Sequence, residues 1–269
     1  MASEATPQRP GYDFPWLPRF PFAFDLLLGR RRSFARDSAL VMAKNPYPRR
    51  FEGFEQLPQD SSFIIVMNHY NRPGLHPYHC AMAASAAVAG QRPGQPELSW
   101  LFTSEWYGRR FGLLLIPTWL IRWLFGRVGR IYDFIVLPRR VELVMARASS
   151  LRHVFAALAK RPVAMTPEGI GTGHLTEPPA GSGLFLTILS EHGYPLFPLA
   201  VFEEDSTLVL RLGRPLRLST PRDISRDESD RLAREQTMVA LGRLLPREYW
   251  GAYAAAIERS LSEEGAAPE

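Results

Sequence analysis

Short apolar runs alternate with stretches of helical spacing along most of the chain. Runs with almost no polar interruption are typical of strands covered on both faces, and they lie at 61–67 ("SSFIIVM"), 97–102, 133–137, 162–166, 195–202 and 207–212. Apolar residues spaced as in a helix predict helices at 77–90, 106–125 with a break near Pro117, 141–160, 181–192, 226–245 and 247–262. This alternation predicts an α/β fold, a single domain with a mostly parallel central sheet flanked by helices.

The first 45 residues follow a different pattern. Residues 1–21 are rich in proline and aromatic side chains without a helical period, which predicts an extended arm. A short helical stretch at 22–28 and the basic run Arg30-Arg31-Arg32 come next, and 46–58 reads as a loop. We therefore divide the chain into an N-terminal segment, 1–45, and an α/β domain, 46–269.

Composition and charge narrow the possible partners. A chain of 269 residues with 46% hydrophobic residues can bury a sizeable core. The net charge of +5 favours attraction to phosphate groups or anionic lipid, although a preference for arginine over lysine is also typical of a GC-rich genome. Cys80 is the only cysteine, which excludes an internal disulfide, and the start lacks a secretory signal, so we expect a cytoplasmic protein. No nucleic-acid partner is expected.

The most apolar segment, 111–126 ("FGLLLIPTWLIRWLFG"), is interrupted by Pro117 and Arg122. It falls short of the roughly 20 apolar residues that a membrane-spanning helix needs. Its leucine, isoleucine and tryptophan residues between flanking arginines suit the headgroup layer of a membrane. A helix buried in the core explains the same pattern, and both interpretations remain open.

Three polar segments directly follow predicted strands: Asn68-His69, Arg139-Arg140 and Glu168-Gly169. Because ligands of parallel sheets gather at the carboxyl ends of the strands, we expect these segments to converge on one rim. Each also has a structural explanation. His69 could be satisfied by backbone, the arginines could be solvated at a helix start, and Glu168 could cap nearby amides in a turn.

His69 is the candidate general base. An imidazole with a pKa near 6.5 can take a proton from a hydroxyl as that hydroxyl attacks a carbonyl. No acidic residue lies between His69 and Glu97, so a local partner for the ring is Asn68, Asn71, His76 or a backbone carbonyl.

Other chemistries lack their motifs. The spacing of His69, His76 and His79 matches no known zinc pattern, and we predict no metal site. The segment "GSG" at 181–183 is not a nucleophile elbow, and the chain has no Walker loop, dinucleotide fingerprint or paired zinc cysteines.

Taken in order, these segments resemble the glycerolipid acyltransferase family, the lysophosphatidic-acid-acyltransferase-like enzymes. The blocks that carry the resemblance, across roughly 50–220, are "NHYNRPGLHPYHCAMA", "IYDFIVLPRR", "TPEGIGTG", "PAGSGLFLTIL" and "YPLFPLAVF". Two departures matter. The aspartate that the family places after its histidine is missing, with Gly74 at that spacing and His76 in its place if the loop carries an insertion. Gly171 stands where the family has a phosphate-binding arginine, so either the acceptor lacks a phosphate there or Arg139 or Arg140 holds it.

The resemblance implies a function that we adopt as a hypothesis. It implies a peripheral protein on the cytoplasmic face of a membrane, held by 14–28 with the arginines at 30–32 and by 111–125. Such a protein moves a fatty acyl chain from acyl-CoA or acyl carrier protein to a lysophospholipid or other lipid hydroxyl. His69 would be the base, and Asn68 and His76 would help to shape the site. Arg139, Arg140, Glu168 and Gly169 would bind substrate.

The hypothesis also assigns parts of the site outside the motifs. Amides of 169–173 would hold the oxyanion. Phe102, Trp106 and 113–115 would line an acyl tunnel, with no metal or bound cofactor. The rival is a non-catalytic lipid- or acyl-binding homologue that has lost the catalytic pair.

Overall fold

A computed structural model of the chain contains nine strands among the residues that it describes. Those residues are 11–13, 19–45, 47–103, 110–111, 114–115, 117–137, 144–221 and 223–265. The strands are β1 (Arg49–Glu52), β2 (Ile64–Met67), β3 (Ser99–Thr103), β4 (Arg110–Phe111), β5 (Leu114–Leu115), β6 (Ile135–Leu137), β7 (Val163–Met165), β8 (Leu196–Glu204) and β9 (Thr207–Leu212).

Seven of these strands form one sheet in the order β1-β9-β8-β2-β7-β3-β6. Every neighbouring pair is parallel except β8 and β9, which form an antiparallel hairpin. The short strands β4 and β5 pair separately. The predicted α/β class with a mostly parallel central sheet is therefore confirmed.

Eight helices surround the sheet within the described part of the chain. They are α1 (Arg19–Leu28), α2 (Phe34–Lys44), α3 (Pro77–Gln91), α4 (Thr118–Tyr132), α5 (Val144–Leu158), α6 (Ser182–Glu191), α7 (Arg226–Gly242) and α8 (Ala254–Gly265). Helix α3 begins at Pro77, where a proline suits the first turn because its missing N–H has no helical partner. Helix α6 carries Gly183 against α7, because a side-chain carbon there would collide with the backbone of Asp230.

The centre of the sheet is buried on both faces, which explains its unbroken apolar sequence. All four residues of β2 and all three of β7 are buried, and so are the first eight of β8. A strand covered by helices on both sides shows a continuous apolar run rather than alternation. The predicted central strands are confirmed for this reason.

Four elements differ from the prediction. Helix α2 and strand β1 were not predicted, and β1 lies inside the segment read as a loop. The predicted helix over 106–125 is wrong in its first half, where β4 and β5 lie, while α4 starts after Pro117 and continues to Tyr132. The predicted helix over 247–262 begins as two short 3-10 turns before α8. The division at residue 45 stays a prediction.

Helices α1 and α4 pack together and expose large apolar side chains. We call this surface the α1/α4 face, and its exposed members are Phe20, Phe24, Leu27, Leu28, Trp119, Leu120, Trp123 and Leu124. The Arg30 guanidinium lies 5.4 Å from the centre of the Phe24 ring, and that of Arg127 lies 5.6 Å from the Trp123 ring. Across the described residues, we find no helix with the length and apolar character to span a bilayer.

Candidate functional site

The loops after β2 and β7 meet at the carboxyl edge of the sheet, as the sequence predicted. The two strands are parallel neighbours, so the chain leaves both at the same edge. The backbone N–H of His69 donates a 2.8 Å hydrogen bond to Oε1 of Glu168. The first and third blocks of the candidate site are therefore in direct contact.

The Glu168 carboxylate joins the two loops by accepting hydrogen bonds with both of its oxygens. Its second oxygen accepts hydrogen bonds from the Thr176 N–H at 3.0 Å and the Thr176 hydroxyl at 3.1 Å, and the residue is only 4% exposed. Burial raises the pKa of this carboxyl, while the hydrogen bonds from His69 and Thr176 act against that rise. Both oxygens of Glu168 accept hydrogen bonds inside the protein, and substrate binding by this residue stays a prediction. The turn-capping explanation describes its contacts.

A second line of contacts joins the same two loops through backbone. The Thr172 N–H donates to the His69 carbonyl at 3.1 Å, and the Asn71 N–H donates to the Thr172 carbonyl at 2.9 Å. Gly169, beside Glu168, has a φ of +68°, a left-handed conformation that glycine adopts without strain. Two parallel loop segments thus hold the His69 backbone from both sides, and a substrate contact by Gly169 stays a prediction.

Asn68 fixes the start of the His69 loop. Its side-chain amide donates to the Val201 carbonyl at 2.9 Å, and its side-chain oxygen accepts from the Val201 N–H at 2.7 Å. The side chain therefore imitates a further strand residue against β8. It is 5% exposed, and both of its polar ends are used, so its contacts are those of a positioning residue.

The His69 ring has no hydrogen-bond partner of its own among the described residues. Its Nδ1 is buried and has no hydrogen-bond partner. Nε2 does not belong to the buried polar atoms without a partner. Burial lowers the pKa of His69 to about 4. The imidazole is therefore neutral at pH 7 and can accept a proton, but nothing on Nδ1 stabilises the imidazolium that would form.

The described hydrogen bonds of His76 join it to Asn71 and His79. Its Nδ1 lies 3.1 Å from the Asn71 side-chain oxygen, and its backbone N–H donates to Nδ1 of His79 at 3.1 Å. The described partner of the His76 ring is Asn71, Nδ1 of His69 has no partner, and a catalytic role for His76 stays a prediction. His79 is 1% exposed, and no set of three His, Cys, Asp or Glu side chains in the described residues could hold a metal ion.

The sequence interpretation missed a buried ion pair in the same loop. The Arg72 guanidinium binds Glu203 of β8 through two nitrogens, Nε at 2.6 Å and Nη2, with side-chain exposures of 11% and 2%. The Tyr70 hydroxyl donates to the same carboxylate at 3.0 Å. The Tyr249 hydroxyl donates to the Glu203 carbonyl at 2.8 Å. The sequence signal was the pair of glutamates, Glu203-Glu204, at the end of an otherwise apolar strand.

The glycine-rich loop after Glu168 leaves backbone donors unused. The Thr172 amide is occupied by His69, but the amides of Ile170, Gly171 and Gly173 donate to no acceptor within the described residues. Free amides at a turn are the donors that an oxyanion needs. The predicted role of 169–173 is thus compatible with the geometry and stays a prediction.

The remaining predicted residues are located only in part. Arg139 and Arg140 lie outside the described residues, although the preceding strand, β6, is parallel to β3 and ends at the same edge. Of the predicted acyl-tunnel walls, Phe102 packs edge-on against Phe125 and Phe134, at 5.7 and 5.8 Å between ring centres. Trp106 and the side chains of 113–115 are not described.

Two cavities lie at the opposite, amino-terminal edge of the sheet. Their volumes are about 470 and 260 Å³, and they share Gln95, Pro96 and Arg161 in their walls. His69 lines neither of them. A tunnel for an acyl chain beside His69 therefore stays a prediction.

Comparisons with known proteins give a likeness at the level of structure. No protein-family model matches the chain, and no curated protein matches it. Among solved structures, the chain is similar to the crystal structure of the 1-acyl-sn-glycerophosphate (LPA) acyltransferase PlsC from Thermotoga maritima, at 17% identity and a TM-score of 0.44. That likeness covers 93% of this chain and 90% of the other. The α/β architecture described above rests on the strand order of this chain itself.

Proposed function

We propose that this protein is an acyltransferase in which His69 takes the proton of a lipid hydroxyl as the hydroxyl oxygen attacks a thioester carbonyl. A C–O bond forms, the C–S bond breaks, and the proton on His69 passes to the departing thiolate. The donor in this proposal is acyl-CoA or an acyl carrier protein, and no metal or bound cofactor takes part.

The observation that carries the proposal is the placement of one imidazole by two loops. The Glu168 carboxylate and the Thr172 amide fix the His69 backbone from opposite sides, at 2.8 and 3.1 Å. Holding a reacting group in one geometry is a large part of catalysis, because it removes the entropy of finding that geometry.

The next part of the loop supports the second requirement, which is stabilisation of negative charge. Attack on a thioester places charge on the carbonyl oxygen, and preorganised N–H donors stabilise it. The unused amides of Ile170 and Gly171 lie beside the residue whose amide binds the His69 carbonyl. Base and oxyanion donors thus belong to two loops that are already joined.

The proposed acceptor reaches the protein from a membrane surface, and the α1/α4 face supports this part of the proposal. Tryptophan and phenylalanine with arginine at their edges are the composition that binds the headgroup layer of anionic membranes. Each arginine near such a surface contributes about 1 kcal/mol. We accordingly propose a peripheral protein on the cytoplasmic face of a membrane.

Acyl transfer is tested with labelled acyl-CoA and a panel of lysolipids and lipid alcohols. His69→Gln is expected to lower kcat by about 10²- to 10⁴-fold, the usual contribution of a general base. His153→Gln is the matched control, because that imidazole is exposed on α5. Equal turnover by wild type and His69→Gln would remove His69 from the mechanism.

Membrane binding is tested by co-sedimentation with vesicles of phosphatidylglycerol and phosphatidylcholine. Replacing Trp119 and Trp123 together with serine is expected to weaken binding at least tenfold, because both are exposed on the α1/α4 face. Leu261→Ser on α8 removes an exposed apolar side chain outside this face and serves as the control. Equal losses in both variants would contradict the assignment of the face.

The rival function is a non-catalytic lipid- or acyl-binding protein. The enclosed Nδ1 of His69 favours it, because an active general base usually has a partner on its second nitrogen. Tight binding of lipid or acyl thioester with no turnover in any donor and acceptor pairing would establish the rival.

A further inference from the structure

The wall beside His69 is made of backbone at Gly171. A side-chain carbon there would lie 2.9 Å from Cβ of Asn71, 2.9 Å from Cγ of Pro77 and 3.3 Å from the His69 carbonyl oxygen. These distances are shorter than ordinary van der Waals contact, so no side chain fits without moving its neighbours. The position next to the candidate base therefore offers no charge to a substrate.

The charges that do lie in these two loops are unsuited to an anion. Arg72 is the only arginine or lysine in 68–76 and 166–176, and its guanidinium is already bound by the buried carboxylate of Glu203. The other buried charge is the carboxylate of Glu168, which contacts His69 itself. A phosphate close to the reacting hydroxyl would meet a carboxylate without a free cation from these loops, and such an arrangement is unfavourable.

The rim next to Gly171 is apolar. Ile170 is 61% exposed, one of the largest exposures of an apolar side chain in the described chain. It stands between two glycines, Gly169 and Gly171, in the loop that holds the candidate oxyanion amides. An uncharged lipid can cover this side chain, whereas a charged headgroup gains nothing from it.

The remaining arginines of the candidate site follow a more distant strand. In the sheet, β2 is followed by β7, β3 and then β6, so three strand spacings separate the loop of His69 from the end of β6. At about 4.8 Å per spacing, the two strand ends are roughly 14 Å apart. This distance applies to the described end of β6 at Leu137, and Arg139 and Arg140 lie outside the described residues.

We infer that the acceptor is an alcohol without a charged group near its reacting hydroxyl, such as a monoacylglycerol or another neutral lipid alcohol, rather than a phosphate-bearing lysolipid. This inference rests on the proposed function and names the acceptor class of the same site. The recognition elements are the side-chain-free wall at Gly171, the apolar rim at Ile170 and the neutralised Arg72.

The test compares two acceptors that differ only in the phosphate. A short-chain monoacylglycerol and its 3-phosphate, both below their micelle concentrations, are supplied with the same acyl-CoA. The kcat/KM ratio is expected to favour the uncharged acceptor at least tenfold. A ratio near one, or a preference for the phosphate, overturns the inference while leaving acyl transfer by His69 intact.

Two variants of one exposed residue sharpen the comparison. Ile170→Arg places a cation at the rim without a packing loss and is expected to shift the ratio toward the phosphate acceptor at least tenfold. Ile170→Gln, which removes the apolar side chain without adding a charge, is expected to shift the ratio in the same direction but by less than Ile170→Arg. An equal shift in both variants shows that charge at this position does not select the acceptor and overturns the inference.

A binding measurement separates this inference from the proposed function. Calorimetric titration of His69→Gln with the same two acceptors is expected to show at least tenfold tighter binding of the uncharged one. If the wild type turns over neither acceptor, the proposed function fails. In that case preferential binding of the neutral lipid still supports the acceptor class, and equal or reversed binding overturns it.

Discussion

Acidification should destabilise this protein between about pH 6.5 and pH 4, and two buried histidines set that interval. Burial lowers the pKa of His69 to about 4, and burial together with the neighbouring charges of His76 and Arg72 lowers the pKa of His79 to about 4. In the unfolded chain both groups return to about 6.5. Between these values the unfolded chain binds protons that the folded chain does not, so the free energy of unfolding falls as the pH falls.

The magnitude follows from the interval. One pH unit over which a single proton is bound only by the unfolded state changes stability by about 1.4 kcal/mol. At pH 5 each histidine is about 1.5 units below its unfolded pKa, so each removes roughly 2 kcal/mol relative to pH 7.5. The raised pKa of Glu168 has the opposite sign, because the folded state then binds its proton first as the pH falls. A comparison of variants isolates the histidine contribution from this offset.

The assay is equilibrium urea unfolding at pH 7.5 and pH 5, followed by tryptophan fluorescence. His69→Gln is expected to lose roughly 2 kcal/mol less than the wild type between the two pH values, and His79→Gln the same. His153→Gln, at an exposed position, should keep the full pH dependence of the wild type. The reasoning is refuted if His69→Gln and the wild type lose the same stability on acidification.

Three further substitutions test the contacts around the candidate site by urea unfolding at pH 7.5. Glu168→Ala leaves the His69 and Thr176 donors without their acceptor and is expected to cost about 2–4 kcal/mol, whereas an unchanged midpoint would show that water replaces the carboxylate. Gly171→Ala forces a methyl group against neighbouring atoms and is expected to cost about 1–3 kcal/mol; a neutral result would mean that the two loops separate easily. Arg72→Met leaves the Glu203 carboxylate buried without its partner and is expected to cost about 3–5 kcal/mol, and a loss below 1 kcal/mol would contradict the burial of this pair.

The central strands could be predicted because burial on both faces leaves a direct mark on the sequence. Strand β9 was predicted with its observed ends, 207–212, the strand before Glu168 within one residue at each end, and the strand before Asn68 within three residues. Strand β1 carries no such mark. Its sequence, "RRFE", is polar and partly exposed, and its extended form depends on pairing with β9, about 160 residues later in the chain. Pairing of that kind has no local signal.

The segment before Pro117 shows the limit of apolar spacing as a signal. Leucines at 113–115 and the apolar residues of α4 form one continuous run, so the sequence predicts one helix with a break. In the structure, strand β5 ends at Leu115, before Pro117, and α4 begins directly after that proline. A proline favours the position just before or within the first helical turn, which gives an observed start rather than an interior break.

The site itself was predictable as a place but not as a set of contacts. The topology of a parallel sheet brings the residues after β2 and β7 to one edge, and this much follows from the order of the strands. The contacts made there join positions about 100 to 130 residues apart, such as His69 with Glu168 and Asn68 with Val201. The sequence suggested that Asn68 and Glu168 take part in catalysis or substrate binding. In the structure, the Asn68 side chain binds the backbone of Val201, and Glu168 accepts hydrogen bonds from His69 and Thr176.

The unpartnered ring of His69 determines what kind of base it can be. If Nε2 is to accept a proton, the resting proton must sit on Nδ1, and that nitrogen is enclosed without an acceptor among the described residues. The other tautomer avoids a buried N–H without a partner, and such groups are rare because they are costly. In that tautomer Nε2 is a donor and cannot act as the base. Acyl transfer by His69 therefore depends on the less stable tautomer, and the lost stabilisation of the imidazolium adds to the same barrier. The proposed catalysis therefore depends mainly on the placement of His69 by Glu168 and Thr172. Loss of either contact should lower turnover more than it would in a site whose histidine has a carboxylate on Nδ1.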